Sequence, residues 1–190
     1  SADPSGNTSQ GSLYAFARAG TTWTEQQILP AMTGAAAGDK VGENGALSIF
    51  NDSIAAGAPA KGGNSGRVAL YRRQLTSWTV DAVLSSPLAD ATGQFGSSVS
   101  LVGDRLAVGA KNSSLTVGTG GAAWVFTRTS GTWSTAGTQL VPTGLAAGDN
   151  LGFSIALGTD TVLIGSPGRS TNTGAAYAFV YANGAWTQQA

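Results

Sequence analysis

The side chains that could do chemistry in this sequence are hydroxyls and a small number of charged groups. The chain of 190 residues is rich in Ser and Thr but contains no His and no Cys, which excludes His-dependent triads, thiol nucleophiles and the usual zinc sites. A Ser–Lys pair would need Lys40, Lys61 or Lys111, and all three lie in loop sequences where we expect solvated ammonium groups. Paired acid/base carboxylates stay open, but no two carboxylates recur in a pattern. We therefore expect a protein that is not an enzyme.

The charge balance excludes two large classes of partner. Ten Lys and Arg residues are matched by ten Asp and Glu residues, so the formal net charge is zero. Nucleic acids and anionic membranes attract a basic excess, and no apolar run approaches the roughly 18 residues that cross a bilayer. A hydrophobic content of 42% with five Trp residues predicts a packed core. We expect no nucleic-acid partner and no insertion into a membrane.

A repeat of 53–55 residues organises the chain. Each copy begins with a Gly that leads into an aromatic-bearing segment, and a Trp follows that Gly by 12 residues. The Gly and Trp pairs are Gly11 and Trp23, Gly66 and Trp78, Gly121 and Trp133, and Gly174 and Trp186. This register accounts for four of the five Trp residues, so we predict that they fill equivalent positions in the core.

Each full copy contains four short strand signals, which we name a, b, c and d in chain order. Strand c begins at the recurring Gly, and strand d contains the recurring Trp. Strand a is predicted at Val41–Leu47, Phe95–Leu101 and Leu151–Leu157. Strand b is predicted at Ile54–Ala58, Leu106–Ala110 and Val162–Ser166. No segment shows a helical period with start and stop signals.

Four strands in a repeat of about 50 residues are typical of a β-propeller blade. Blades that stand face to face around an axis cover the faces that a single four-stranded sheet leaves exposed. The predicted fold class is therefore all-β, a β-propeller of four-stranded antiparallel blades with about three and a half blades present. The predicted domain spans residues 1–190, with a half-blade at 1–30 and blades at 41–84, 95–140 and 151–190.

Dipeptides at the ends of strands a and b carry a family resemblance. Phe95-Gly96 opens one strand a, and Gly109-Ala110 closes the strand b that follows it. Diverged copies are Val41-Gly42 with Gly57-Ala58-Pro59, and Leu151-Gly152 with Gly165-Ser166-Pro167. In these features the chain resembles the FG-GAP repeats of integrin-α-type β-propellers, and the resemblance covers essentially the whole chain.

The resemblance implies a non-enzymatic extracellular module for interaction, adhesion or assembly, secreted or at the cell surface. A carbohydrate-binding propeller is a second hypothesis, because sugar sites use aromatic platforms with polar rims. An accessory domain of a larger secreted enzyme is a third. Recurrence of Trp in register with strand d favours a core role and therefore favours the first hypothesis.

The short connections between strands a and b argue against a cofactor. Many repeats of the resembled family carry a calcium loop there, and calcium needs six to eight oxygen ligands. Here each connection offers one Asp, namely Asp52, Asp104 and Asp160, and Asp is a common turn residue. We expect no metal and no other cofactor.

The longer loops, which join strand d to a and strand b to c, emerge at one face of a propeller. Loops on a rigid scaffold commonly carry binding residues, so we predict that a protein or glycan partner binds this loop face. The candidate ligand-binding residues are its charged members: Asp39, Lys40, Lys61, Asp90, Lys111, Asp149 and Arg169. The alternative is that these charges only keep the surface soluble.

Two other charged features have open roles. Glu43 falls within predicted strand a, where it either faces a central channel or is solvated at the start of the strand. Arg67, Arg72 and Arg73 form a basic cluster on strand c. A like-charged strand segment protects an edge or contacts an acidic partner.

The phase of the repeat predicts an open end. The chain begins in a b–c loop and closes on a strand d, so the first c–d pair lacks its a and b strands. The resemblance implies seven blades, about twice the present length. We therefore expect part of a longer chain or an oligomeric assembly in which neighbours cover the ends.

Overall fold

The strands form antiparallel sheets arranged one after another along the chain. The structure, a computed structural model, describes residues 10–114 and 118–189. Within these ranges the chain is all-β, with four antiparallel sheets, each built from consecutive strands. We number them sheets I to IV in chain order.

The strand bounds follow the repeat. Sheet I contains β1 (Tyr14–Ala19) and β2 (Thr22–Ile28). Sheet II contains β3 (Leu47–Phe50), β4 (Ser53–Ala58), β5 (Arg67–Gln74) and β6 (Ser77–Leu84). Sheet III contains β7 (Ser98–Val102), β8 (Arg105–Ala110), β9 (Ala122–Thr129), β10 (Thr132–Trp133) and β11 (Thr138–Leu140). Sheet IV contains β12 (Ser154–Leu157), β13 (Thr161–Ser166), β14 (Ala175–Ala182) and β15 (Ala185–Gln188).

The fourth strand of sheet III is interrupted. Both β10 and β11 pair with β9, at its end and at its beginning respectively. Between them the Ser134 side chain bonds the backbone of Ala136 and turns the chain outward. The predicted strand d is therefore present as two short pieces in this sheet.

Short helical turns occupy three loops: Glu43–Gly45, a 3-10 turn, and α1 (Lys61–Asn64) and α2 (Arg169–Asn172). The turn at Glu43 corrects the predicted start of strand a in sheet II. Gly42 has a φ of 76°, which an extended strand does not accommodate. Four residues separate it from β3, whereas one residue separates the equivalent Gly from the first strand in each sister repeat. Glu43 therefore lies outside β3.

The other two a strands also begin later than predicted, for the same reason. Gly96 and Gly152 have φ values of 86° and 81°, so the backbone bends there before β7 and β12 begin. The predicted b strands agree with β4, β8 and β13 to within one residue.

Apolar clusters lie between consecutive sheets. Sheets I and II enclose Met32, Tyr71 and Trp78, and sheets II and III enclose Phe95 and Trp124. The rings of Phe95 and Trp124 lie 5.7 Å apart. A third cluster joins sheets III and IV. The core therefore consists of three interfaces between sheets.

The first strands of neighbouring sheets are joined by one hydrogen bond that recurs. The backbone N–H of Leu101 in β7 donates to the Ser48 Oγ of β3 at 2.9 Å. One repeat later, the N–H of Leu157 in β12 donates to the Ser100 Oγ of β7 at 3.0 Å. Sheets II, III and IV thus follow one another with the same relation between neighbours.

The outer strands are joined by the recurring Trp. In β2 and β6 a β-bulge leaves one residue unpaired, Gln26 and Asp81 respectively. The Gln26 side chain accepts from the indole N–H of Trp78 at 3.3 Å, and Asp81 accepts from that of Trp133 at 3.1 Å. The bulge therefore directs a side chain at the next sheet.

The prediction that the four recurring Trp residues share a core position is wrong for Trp23. Trp78 and Trp133 are 3% and 6% exposed, whereas Trp23 is 63% exposed. In the later sheets the preceding sheet covers this side chain, and among the described residues no sheet precedes sheet I.

No helix within residues 10–114 and 118–189 is long and apolar enough to cross a membrane.

Candidate functional site

A polar cleft of about 390 Å³ lies where the chain enters the first strands of sheets II, III and IV. Its walls come from equivalent positions of successive repeats, next to the dipeptides of the FG type. The lining residues are Lys40, Glu43, Asn44, Pro59, Gln94, Ser97, Lys111 and Phe153.

Backbone hydrogen bonds to the preceding repeat hold the segments that form the walls of the cleft. The N–H of Val41 donates to Gln10 O at 2.9 Å, and the N–H of Phe95 donates to Ser65 O at 3.2 Å. Lys40 and Gln94 directly precede these anchored residues, and both have positive φ values, 57° and 56°. The side chains that line the cleft therefore start from a backbone held by the preceding sheet.

The cleft contains two ammonium groups in different electrostatic settings. Lys40 forms an ion pair with Glu43, with Nζ and Oε1 2.8 Å apart. The Lys111 Nζ lies 5.3 Å from the centre of the Phe153 ring, a cation–π distance, and Lys111 forms no ion pair with any carboxylate of the described chain. The lining thus carries one positive charge that is not neutralised.

Two pairs of predicted site residues bind each other. The Lys61 Nζ lies 2.9 Å from Asp39 Oδ2, and Arg169 NH1 lies 3.1 Å from Asp149 Oδ2. Both carboxylates are almost fully buried. Each pair links the loop that enters a sheet to the loop between its second and third strands.

The same two carboxylates also organise their own loops. Asp39 Oδ2 accepts from the N–H of Ala36 at 2.7 Å, and Asp149 Oδ2 accepts from that of Ala146 at 2.8 Å. The cations in turn donate to the carbonyls of Gly34 and Gly144. Each of these charged groups is thus engaged by at least two contacts within the chain, which favours a structural role over ligand binding.

Asp90 takes the place of this carboxylate in the third sheet. A Cβ on Gly93, the position equivalent to Asp39 and Asp149, would overlap the Asp90 carboxylate. Asp90 is 7% exposed; its Oδ1 accepts from the N–H of Thr92 at 3.2 Å, and its Oδ2 has no partner in the described structure. Ser113, which is fully buried, stands at the position of Lys61 and Arg169 in this sheet. Lys111 stands at the position of Pro59 and Pro167 and lies on Phe153.

The opposite face carries the tight turns between first and second strands. The Arg73 Nε donates to Asp52 Oδ1 at 2.7 Å, and the Arg128 Nε donates to Asp104 Oδ1 at the same distance. The two guanidinium groups lie over Trp78 and Trp133 at 5.6 and 5.3 Å from the ring centres. Asp52 and Asp104 therefore anchor the turn between the first and second strands to the third strand of the same sheet.

The third turn and the Arg cluster complete that face. Asp160 accepts from the Thr161 hydroxyl at 3.0 Å and has no Arg opposite it. Arg67 bonds the carbonyl of Gly66, whereas Arg72 is exposed. The three Arg residues of the sequence cluster therefore have separate roles. Among the described residues no group of three or more acidic, His or Cys side chains is placed to hold a metal.

Five lining residues were missed by the sequence reasoning, which considered only charged residues. They are Asn44, Pro59, Gln94, Ser97 and Phe153. A usable signal was present, because Gln94, Ser97 and Phe153 adjoin the dipeptides of the FG type. Positions next to an anchor between sheets converge on the same place from every repeat.

The family comparison agrees with this geometry. A model of the FG-GAP repeat matches residues 78–126 and 135–179. The chain therefore carries FG-GAP repeats, and the resemblance seen in the sequence is confirmed. FG-GAP repeats occur in extracellular interaction modules such as integrins. No curated protein matches the chain.

Proposed function

We propose that the four sheets are consecutive blades of a β-propeller, about three and a half in number, that acts as a non-enzymatic extracellular module for interaction, adhesion or assembly. The recurring bond from Leu101 to Ser48 and from Leu157 to Ser100 supports this arrangement, because a constant relation between neighbours is what a ring of blades requires. The resembled family supports a place outside the cell, secreted or at the cell surface.

The proposed binding site is the polar cleft, and its central group is Lys111. In the sister repeats the loop cations Lys61 and Arg169 are each neutralised by a buried carboxylate. The position of Lys111 itself is a Pro in both of those repeats. Lys111 has no such partner within the described residues and lies beside Phe153, whose ring is about half exposed. An uncompensated ammonium beside an exposed ring suits a carboxylate-bearing group of a protein partner.

Site-directed crosslinking tests this function. A photoreactive phenylalanine analogue replaces Phe153 in one variant, which leaves Lys111 in place. In a second variant a photoreactive residue replaces Thr159, which is exposed on the opposite face in the turn between β12 and β13. Each is exposed to the proteins secreted by or displayed on the source cells. We expect one saturable crosslinked partner from position 153 only, displaced by excess unlabelled protein but not by the Lys111→Gln variant. Equal crosslinking from both positions would contradict a site in the cleft.

The carbohydrate-binding alternative has one supporting observation, the exposed ring of Phe153 above a polar cleft. Binding to a glycan array that disappears in Phe153→Ser, but persists in Leu163→Ser, would favour a lectin. Leu163 is a suitable control because it is equally exposed and lies in β13. A catalytic domain found on the same polypeptide would instead favour an accessory role in a secreted enzyme.

We also propose that the blades fold without calcium. The carboxylates of Asp52 and Asp104 are engaged by Arg73 and Arg128, and a turn of two residues does not supply six oxygens. The melting temperature is therefore expected to be the same in excess calcium and in excess chelator. A fall of several degrees with chelator would show that a metal contributes to the fold.

A further inference from the structure

An apolar groove of about 510 Å³ lies between sheet I and the first strands of sheet II. One wall is β1, the other is β3, and the floor is formed by residues that belong to both sheets. Its main apolar lining consists of Leu13, Tyr14, Phe16, Leu47, Ile49 and Trp78. Large apolar side chains that stay exposed together mark a surface that another element covers.

The repeat shows that the side chains facing this groove are exposed although their counterparts in sheet III are buried. Phe16 is 53% exposed, whereas Phe126, at the same position of sheet III, is fully buried. Ile49 is 66% exposed, whereas Leu101, its counterpart in sheet III, is 2% exposed. The same sequence positions are thus covered in one sheet and open in another.

The covering element in the later sheets is a two-stranded hairpin. In sheet III, β8 pairs with the inner edge of β9, and β7 pairs with β8. The pairs β3–β4 and β12–β13 occupy the same position in sheets II and IV. Within the described residues β1 pairs only with β2, so its other edge offers free backbone donors and acceptors.

We propose that this groove binds a β-hairpin of the a–b type from a further FG-GAP repeat, which adds two strands to the open edge of β1. The inference rests on the proposed propeller and names the partner of one of its surfaces. A second copy of this chain is not the occupant, because its three a–b hairpins are already paired with β5, β9 and β14 in their own sheets.

The repeat also specifies the register of the bound hairpin. In sheet III, Leu106 lies opposite Phe126 and Val108 opposite Trp124, which places the corresponding hairpin residues opposite Phe16 and Tyr14. A Ser in the other strand of the hairpin, equivalent to Ser100, accepts from the backbone N–H of Ile49. A Gly equivalent to Gly109 is needed where the hairpin meets Gly42.

A labelled peptide with the sequence of residues 95–111 provides the probe. Its fluorescence anisotropy is measured against the intact chain, with the Gly109→Val peptide as the control ligand. We expect a saturable rise that Ile49→Ser weakens at least about tenfold, because the side chain loses its apolar contact. Leu163→Ser, at another exposed apolar position, on sheet IV, is expected to bind like the wild type.

An isolated hairpin is only marginally stable in water, which weakens the binding of a free peptide. Fusing the hairpin covalently to the chain avoids this difficulty. Residues 95–110 are fused in front of Ser1, so that ten residues separate the hairpin from Gly11, as residues 111–120 separate Ala110 from Gly121. Fusion raises the local concentration of the hairpin. We expect a higher melting temperature and protection of the β1 amides from exchange, both absent in the fusion that carries Gly109→Val.

Three outcomes would overturn the proposal. They are equal binding of the two peptides, unprotected β1 amides in the fusion, and a dimer of the wild-type chain that Ile49→Ser dissociates. None of them changes the crosslinking from position 153, which tests the proposed function separately. Conversely, if no partner crosslinks from the cleft but the β1 amides are protected in the fusion, only the site proposed in the cleft is rejected.

Discussion

Gly109 in β8 lies directly against Gly152 at the entry to sheet IV. A Cβ on Gly109 would overlap the carbonyl oxygen of Gly152, and Gly57 stands in the same relation to Gly96 one repeat earlier. The second Gly of each pair follows the large residue of the FG dipeptide, and the first belongs to the GAP motif. The FG dipeptide of one repeat and the GAP motif of the repeat before it thus meet across the interface between neighbouring sheets.

This contact predicts that Gly109→Ala is strongly destabilising. The added methyl group meets backbone, which cannot move aside without separating two sheets, so we expect a loss of about 2 to 3 kcal/mol in the free energy of unfolding. Gly158→Ala is the control, because its Cβ would meet only Thr161 O at an ordinary 3.5 Å. Urea unfolding of the two variants measures the difference, and equal stabilities would show that the sheets do not approach as described.

The ion pair between Asp149 and Arg169 predicts a second large effect. Asp149→Ala leaves the partly exposed Arg169 guanidinium and the N–H of Ala146 without their buried acceptor. We expect a loss of about 2 kcal/mol. Glu43→Ala breaks the exposed pair with Lys40 and is expected to cost less than about 1 kcal/mol. Similar losses in the two variants would contradict a structural role for the buried pair.

Tyr71 predicts a loss of stability at high pH. Burial raises the pKa of its hydroxyl from 10.0 to about 12, and the hydroxyl donates to Pro30 O at 3.1 Å. Above pH 10 the unfolded chain releases this proton while the folded chain keeps it, so the stabilisation present at lower pH is lost as the pH rises towards 12.

The matched variant for this effect is Tyr71→Phe. Between about pH 9.5 and 11.5 the wild type is expected to lose roughly 2 kcal/mol more than Tyr71→Phe, because this window covers most of the range in which only the unfolded chain releases the proton. Urea unfolding at several pH values measures both. Parallel pH profiles for the two proteins would mean that the hydroxyl is not buried in the folded state.

The sequence predicted the second strands well because their signals are local. An apolar run between an Asp-containing turn and a Gly-Ala or Gly-Ser ending fixes both ends of β4, β8 and β13. The starts of the first strands were predicted too early. The backbone reversal at Gly42, Gly96 and Gly152 depends on contact with a neighbouring sheet, which no single repeat encodes.

The loop charges were recognised singly because their pairing is not local. Asp39 and Lys61 are 22 residues apart and belong to different loops, so only the folded sheet brings them together. In the repeat of sheet III the buried carboxylate belongs to Asp90, and the aligned position 93 is a Gly. An alignment of the repeats therefore does not reveal this carboxylate. A regular signal existed in two of the three copies, where an acidic residue stands two positions before the large residue of the FG dipeptide.

The exposure of Trp23 shows a limit of reasoning from repeats. Equivalent positions acquire equivalent burial only when equivalent neighbours are present. Trp78 receives a cover and a hydrogen bond from sheet I, whereas sheet I itself has no described sheet before it. A repeat therefore predicts which side chains are suited to burial, and the presence of a neighbouring sheet determines whether each one is buried.

Solution NMR of the first strands tests the repeating relation between sheets most directly. We expect through-space cross-peaks between the Leu101 amide proton and the Ser48 β-protons, and between the Leu157 amide proton and the Ser100 β-protons. The two contacts correspond to hydrogen bonds of 2.9 and 3.0 Å. If both amides are assigned, exchange rapidly with water and show no cross-peak to these Ser residues, the sheets do not stand side by side as blades of one propeller.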